Sequence, residues 1–287
     1  MANSIAAALK YLNQKLDKQY KAAAKTAVLD VNPAFVREAD IAGTFYIPKL
    51  SMPGLGNVTS GVMPTGDVTQ TWVAYTYSQD RGRKLVLETV ENMEGAMVAL
   101  ANMADEYLRV HVIPELDAYR FETLARNAGT KATGAITTSA EAIAATNAAL
   151  VAMVDAEVDP ENLICFHSAE MGDLLDSAAS TEKKARILSR ATMVEVPAGR
   201  FNADITINAG SSASTGGFST TGSAINFILM DKNAAFADAK HVSTRLFTPE
   251  TYQAADAYAW DYRVVHDAWV YSNKTAGVYV HTDATIS

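Results

Sequence analysis

The stretch Val68-Thr69-Gln70-Thr71-Trp72-Val73-Ala74-Tyr75-Thr76-Tyr77-Ser78-Gln79-Asp80-Arg81-Gly82-Arg83-Lys84-Leu85-Val86-Leu87 reads as two strands around a tight turn. Residues 68–77 are rich in β-branched and aromatic side chains, which fit a pleated, half-buried surface. The turn spans Ser78 to Gly82, where Gly82 can take positive φ at little steric cost, and Arg83 to Leu87 has the composition to pair back as a hairpin. Upstream, Leu50 to Gly66 carries Gly54, Gly56, Gly61 and Gly66 with Pro53 and Pro64, a composition that cannot hold regular structure. A loose tip on a two-stranded stem is an arm. Two strands alone bury too little apolar surface to be stable in water, so the arm is expected to lie on another body, a neighbouring copy of the chain.

From Val90 to Asn127 the apolar period becomes helical. Met93, Met97, Leu100, Ala104 and Leu108 recur on one face, with Glu91, Glu94, Asp105 and Arg109 largely elsewhere. Asp105 and Arg109 stand four apart, as do Glu122 and Arg126, each with the acid first, the order that helix electrostatics favour. Pro114 lacks an amide donor and clashes with the preceding turn, so the helix must kink or restart there. Two near-collinear halves would span roughly 55 Å at 1.5 Å per residue, the length of a spine.

Composition bounds the function classes. With 287 residues, 49% of them hydrophobic, the chain can form one large domain or two with an ample core. A net charge of −8 argues against gripping nucleic-acid phosphates as the main task, which needs clustered Lys and Arg. The local exception is the first 25 residues, where Lys10, Lys15, Lys18, Lys21 and Lys25 accompany Ile5, Leu9, Leu12 and Leu16 at helical spacing. This reads as an amphipathic helix packed on a subunit, with a nucleic-acid or membrane contact as the less favoured alternative. No apolar run has the length of a membrane span, and Met1-Ala2-Asn3-Ser4 does not begin a signal-peptide pattern, so a chain made and used inside a cell is expected. The single Cys165, inside the apolar run Leu163 to Phe166, excludes an intrachain disulfide and reads as a core residue.

From Thr138 onward the pattern is that of a separate α/β unit. Thr138 and Glu141 make a capping box for a helix that ends near Asp159-Pro160. A buried strand at Asn162 to His167 and a helix opened by Ser168 follow, with strands at Thr192 to Val196, Asp204 to Asn208 and Ala224 to Met230. Between the last two runs a Gly/Ser/Thr loop from Ala209 to Ser223, too small and polar to pack on itself. It has neither the Gly-Lys-Ser/Thr ending nor the following helix of a phosphate cradle. Residues 258–271 alternate strongly, then turn through Asn273 to Gly277 into Val278-Tyr279-Val280-His281, a long antiparallel ribbon.

Nothing here calls for catalysis. Ser180-Thr181-Glu182-Lys183 matches Ser-x-x-Lys but lacks the companion acyl-transfer motifs. His111, His167, His241, His266 and His281 show no metal-ligand spacing. Asn57-Val58-Thr59 and Asn273-Lys274-Thr275 match a glycosylation sequon, which has no consequence without secretion. No catalytic residue, cofactor or metal is expected.

Taken in order, these parts resemble the major capsid proteins of tailed bacteriophages, a fold shared with bacterial encapsulin compartments. The resemblance is carried by Tyr75 to Arg83, by Val112-Ile113-Pro114-Glu115-Leu116-Asp117-Ala118-Tyr119-Arg120-Phe121, by Val196-Pro197-Ala198-Gly199-Arg200-Phe201, and by Asp267 to His281. It implies an α+β phage major-capsid fold: an N-terminal arm (1–41), an extended β-hairpin loop (44–87), a peripheral domain with a long spine helix (88–135), an α/β axial domain (136–237) and a C-terminal β-ribbon of the peripheral domain (238–287). The implied inter-subunit contacts are Lys49, Met52, Trp72, Tyr75, Tyr77, Arg81 and Arg83 on the extended loop and Leu9, Leu12 and Leu16 on the arm. Met97, Leu100, Leu108 and Pro114 mark the spine, and Phe218 marks a capsomer-centre loop.

The implied function is self-assembly into pentamers and hexamers of an icosahedral head shell, a virion capsid assembled in the bacterial host cytoplasm. The alternative is an encapsulin-like compartment holding cargo enzymes. Implied partners are the chain itself, a separate scaffolding protein and a portal, a decoration protein, and double-stranded DNA enclosed without sequence-specific binding; no membrane is involved. Lys49 sits at the loop base, but no Asn partner or catalytic carboxylate is identified and no crosslink is predicted.

Overall fold

The computed structural model describes residues 24–30, 37–38, 43–59, 62–88, 104–177, 187, 189–211 and 215–286. In chain order its strands are Arg37–Glu38 (β1), Thr44–Ser51 (β2), Thr69–Thr76 (β3), Gln79–Glu88 (β4), Thr130–Thr133 (β5), Leu163–Ser168 (β6), Ala191–Val196 (β7), Ile205–Ile207 (β8), Phe218–Thr220 (β9), Ile225–Asp231 (β10), Ala235–Phe247 (β11), Ala257–Val270 (β12) and Val278–Thr282 (β13). The α-helices are Ile113–Arg126 (α1), Ser139–Asp155 (α2) and Ala169–Asp176 (α3).

β1, β2 and β3 form an antiparallel sheet, and the β2–β3 pair projects as the arm, with Thr44 opposite Thr76 and Ser51 opposite Thr69. At its tip Thr59 bridges Val62, and prolines lie on glycines: a Cβ on Gly56 would stand 2.6 Å from Pro64 Cγ, and one on Gly66 2.5 Å from Pro53 Cγ. Only a residue without a side chain admits the rings so closely.

The hairpin expected around residues 78–82 does not form. β3 returns along β2, and β4 leaves the arm to pair with β12, Gly82 opposite Arg263 and Leu87 opposite Tyr258. The alternation of β4 sets Leu85 and Leu87 on one face, and they are covered by the wide apolar surface around Trp260, Tyr262 and Val264, which a solvated arm cannot supply. Gly82 therefore serves close approach rather than a turn, since a Cβ there would come within 2.8 Å of the Tyr262 carbonyl oxygen.

The expected spine positions Met93, Met97 and Leu100 lie outside the described residues. From Ala104 the chain is helical, and Leu108–Val112 forms a π-helical turn in which Ile113 N–H donates to Leu108 O. Pro114 follows in the first turn of α1, directly after the widened turn, which makes room for its ring and its missing amide donor. The restart expected at the proline thus takes the form of a widened turn just before it. Arg109 pairs with Glu106, three positions before it, at 2.5 Å, while Glu122 and Arg126 pair as expected at 3.0 Å.

The largest sheet has the order β5-β13-β10-β6-β7. Its inner strands are apolar on both faces, the pattern of a sheet covered on both sides. Ile164, Phe166, Ile228, Met230, Val278 and Val280 meet Phe121 and Leu124 of α1, whereas Leu163, Cys165, Phe227, Leu229 and Tyr279 meet α2 and α3. α2 opens with the expected capping box between Thr138 and Glu141, and Ser168 caps α3 by accepting from Met171 N–H.

β11, β12 and β4 make a further sheet, its inner face closed by Leu108, Val112 and Leu116. The expected ribbon of residues 258–281 is corrected here. β12 pairs with β11 and β4, while the helical turn Thr275–Gly277 carries the chain across to β13 in the large sheet. Val278 and Val280 are fully buried and need that two-sided core, so the turn is a crossing between sheets.

Truncating Phe121, fully buried between the two layers, to Ala is expected to cost about 3–5 kcal/mol in urea unfolding of the isolated subunit, whereas the half-exposed Val86→Ala stays within about 0.5 kcal/mol. Equal losses from the two variants would contradict this placement of the core.

Candidate functional site

The arm is mounted on the body by aromatic rings. Phe45 on β2 and Tyr75 on β3 pack against Phe236 of β11, with Trp269 and Tyr271 beside them. The Phe45 and Trp269 rings meet edge to face at 5.1 Å, and Tyr75 and Phe236 do so at 5.5 Å. Such pairs add about 0.5–1.5 kcal/mol each beyond the area they bury.

Two carboxylates fasten the exit of the arm. Tyr77 donates its hydroxyl hydrogen to Asp238, and Asp267 accepts from Ser78 N–H at 2.8 Å and from the Tyr119 hydroxyl at 2.7 Å. Burial and the adjoining Asp238 raise the Tyr77 phenol, and burial leads in raising Tyr119 to about 12, so both stay protonated donors at neutral pH. The stem is a rigid bracket.

Beyond the bracket the chemistry inverts. Among the described residues, eight of the thirteen exposed large hydrophobic side chains fall between Leu50 and Trp72: Leu50, Met52, Leu55, Val58, Val62, Met63, Val68 and Trp72. That density on one projecting hairpin is what an interaction surface looks like, since monomers rarely expose contiguous apolar patches. β3 also lies at the edge of its sheet, where a further strand can be recruited.

The expected contact residues divide accordingly. Lys49, Met52 and Trp72 lie on the outer arm, half-buried to exposed. Tyr75 and Tyr77, two of the implied inter-subunit contacts, take part in the mount within the subunit, where their rings meet Phe236 and Trp269. Arg81 and Arg83 are likewise engaged internally. Arg81 Nε pairs with Glu115 at 2.6 Å and its Nη1 donates to Asn208 O at 3.0 Å; Arg83 Nη1 donates to Gly210 O at 3.3 Å and Thr215 O at 3.1 Å. The Gly/Ser/Thr loop is thereby held against β4, and Phe218, half-buried on β9, pairs opposite Ile207. Leu108 is buried in the spine core, and Leu9, Leu12 and Leu16 lie outside the described residues. The exposed side chains Leu55, Val58, Val62 and Met63 escaped sequence reasoning, which weighed the glycines and prolines around them; apolar residues in such a segment were the available signal.

Residues 24–30, inside the expected N-terminal arm, are built into the core. Asp117 accepts from Lys25 N–H, from Thr26 N–H and hydroxyl, and from Arg200 Nη1 at 2.9 Å. Arg120 donates to Thr26 Oγ1 at 3.0 Å and to Asp30 at 2.7 Å, and Leu29 enters the large core. Paired acids and bases buried this way are tolerated because each has several partners.

The described residues hold no His/Cys/Asp/Glu group arranged for a metal, and no described helix is long and apolar enough to cross a membrane. Burial pushes the Cys165 thiol up to about 12, which fits a packing residue. Burial, helped by the Arg120 and Arg81 guanidiniums, lowers the His266 imidazole to about 3.

No protein-family model matches the chain, and no curated protein matches it. Solved structures do. The asymmetric unit of the bacteriophage PhiM1 mature capsid aligns with a TM-score of 0.61 at 13% identity, over 90% of this chain and 91% of that one. The capsid structure of cyanophage P-SCSP1u gives 0.60 at 12% identity over 89% and 91%. A virus-like particle from Pyrococcus furiosus gives 0.57 at 11% identity over 95% and 98%. The fold is that of phage major capsid proteins.

His266 is neutral when folded but binds a proton below about pH 6.5 when unfolded, so its contribution is complete above pH 6.5 and is lost as pH falls toward 3. Urea unfolding between pH 7 and 4.5 is expected to show this as a slope of up to about 1.4 kcal/mol per pH unit that is missing in His266→Gln. An identical acid slope in the variant would refute the assignment.

Proposed function

We propose that this chain, with the fold of phage major capsid proteins, is a major capsid protein that assembles with copies of itself into rings of five and six and so into a closed icosahedral head shell. The observation that carries this reading is the extended loop: a stem clamped to its own subunit by aromatic rings and a tip whose apolar side chains lack cover there. A rigid bracket presenting an adhesive tip makes a head-to-tail contact, and head-to-tail contacts close into rings when the rotation per subunit divides the circle. The amphipathic pattern around Leu9, Leu12 and Leu16 would add a second contact between neighbours.

In this reading the protein's work is geometry and no chemistry is assigned to it. A separate scaffolding protein and a portal are the proposed assembly partners, with a decoration protein on the outside. Double-stranded DNA would be enclosed without sequence-specific binding, which suits a subunit of net charge −8. The virus-like particle among the structural neighbours supports a second reading, a protein compartment that encloses cargo instead of a genome.

Negative-stain electron microscopy of the full chain, alone and co-expressed with its neighbouring genes, tests both. Uniform hollow particles are expected; DNA filling with a portal or tail decides for the head shell, and enclosed protein for the compartment. Leu55→Lys combined with Met63→Lys is expected to leave subunit stability within about 0.5 kcal/mol while abolishing particles, because each charge would have to be desolvated at every contact. Normal particles from this double variant would rule out the tip as the assembly contact.

A further inference from the structure

Charge is unevenly placed along this chain. Between Lys131 and Lys183 stand nine acids and no Lys or Arg, so that stretch alone carries −9 against −8 for all 287 residues. Residues 1–25 hold five lysines and one acid, Asp17, a net of +4.

The acidic stretch builds one outer layer of the large sheet. α2 and α3 both cover the face that carries Leu163, Cys165 and Phe227, and Ser139 Oγ lies 2.8 Å from Ser177 Oγ, which sets the end of α3 beside the start of α2. Glu170, Asp173 and Asp176 are exposed on α3, and Asp155 and Glu157 are exposed at the end of α2. α2 itself is apolar nearly all round: twelve of its 17 residues are Ala, Val, Ile, Leu or Met. One face, with Ile143, Leu150 and Met153, is buried against the sheet. The other leaves Ala144, Ala148, Val151 and Val154 exposed at steps of four, three and three, a single stripe, with Val151 and Val154 open to 45% and 47%. A helix apolar on both faces is a helix covered on both faces. Ala144 and Ala148 are small enough to admit a second helix toward the near end of the usual range of about 8–10 Å between axes.

The complement of this surface is written in the same chain. Ile5, Leu9, Leu12 and Leu16 fall at helical spacing among the lysines, an amphipathic pattern opposite in charge to the layer of α2 and α3. Such a segment lays its apolar stripe on an apolar stripe. Single exposed ion pairs add little hold, so the lysines and acids would choose the partner and its orientation while the apolar contact keeps it there. Lys25 N–H is fixed by Asp117 of α1, which covers the opposite face of the sheet. Leu16 stands nine residues before Lys25, at most about 30 Å of extended chain, and reaching α2 of its own subunit would spend that length on rounding the edge of the five-stranded sheet.

We propose that the outer face of α2, with the acids of α3, is the docking surface for residues 5–21 of a second copy of the chain. This deepens the self-assembly reading above and rests on it.

The test mixes full-length chain with nitrogen-15-labelled full-length chain before assembly and joins touching lysines and carboxylates with a carbodiimide. Mass spectrometry is expected to find Lys10, Lys15 or Lys18 linked to Glu157, Asp173 or Asp176, light chain to heavy chain. These links are expected to fall at least about fivefold in the Ala148→Lys, Val151→Lys double variant, whose exposed positions leave thermal unfolding within a few degrees of wild type. They are also expected to fall at about 1 M salt, where the screening length is about 3 Å. If the double variant does not fold, the wild-type links and their salt dependence decide. Links confined to chains of one label would put the segment on its own subunit, and assembled particles without these links would mean another occupant on α2, such as a basic helix of a different protein; either result overturns the inference and leaves the shell reading standing. A chain that does not associate with itself removes the shell reading and this inference together.

Discussion

One carboxylate joins the three parts on which the molecule's shape depends. Asp267 of β12 accepts from Ser78 N–H at the exit of the arm, from the Tyr119 hydroxyl on the spine helix and from Ala268 N–H of its own strand. It is nearly buried, so each of those donors is needed to offset its desolvation. Arm, spine and C-terminal strand come from distant parts of the chain, and here they share one acceptor. Around it the rings of Phe45, Tyr75, Phe236 and Trp269 add packing that carries no polar cost.

This bracket separates two kinds of apolar surface. Aromatic side chains at the stem are consumed in mounting it, while aliphatic and Met side chains at the tip remain exposed. The separation follows from chemistry as much as from position. Large rings form specific edge-to-face sets that fix one geometry, whereas Met and Leu side chains are flexible and can adapt their shape to what they meet. A second fixation runs through Asp117 and Arg120, which hold Thr26 and bring Leu29 into the core, so the chain ahead of Lys25 leaves from a defined point on the body.

Periodicity made the local elements legible. The capping box at Thr138 and Glu141, the buried strand around Cys165 and the restart at Pro114 were readable because each rests on neighbours within a few residues. Pairing was harder to read. The segment after Tyr77 looked like the second half of a hairpin, but its partner is β12, some 180 positions away. Likewise the turn at 273–277 looked like a hairpin connection and is a crossing between sheets. Strand composition says that a strand will pair, and only the competition among all available apolar faces says with what.

The candidate site divides along the same line. By itself the sequence determined an arm with a loose Gly/Pro tip, a spine, an α/β unit and the absence of catalytic or metal-binding patterns, because these follow from composition and short-range spacing. Its ordered motifs also pointed to the capsid fold. Only the tertiary structure decided that Tyr75 and Tyr77 face inward, that Arg81 and Arg83 hold a loop of their own subunit, and that Leu55, Val58 and Met63 are the side chains left outside. The physical reason is that burial belongs to a side chain's three-dimensional surroundings: an aromatic on an arm is buried or exposed according to whether a distant strand supplies Phe236 and Trp269 to meet it.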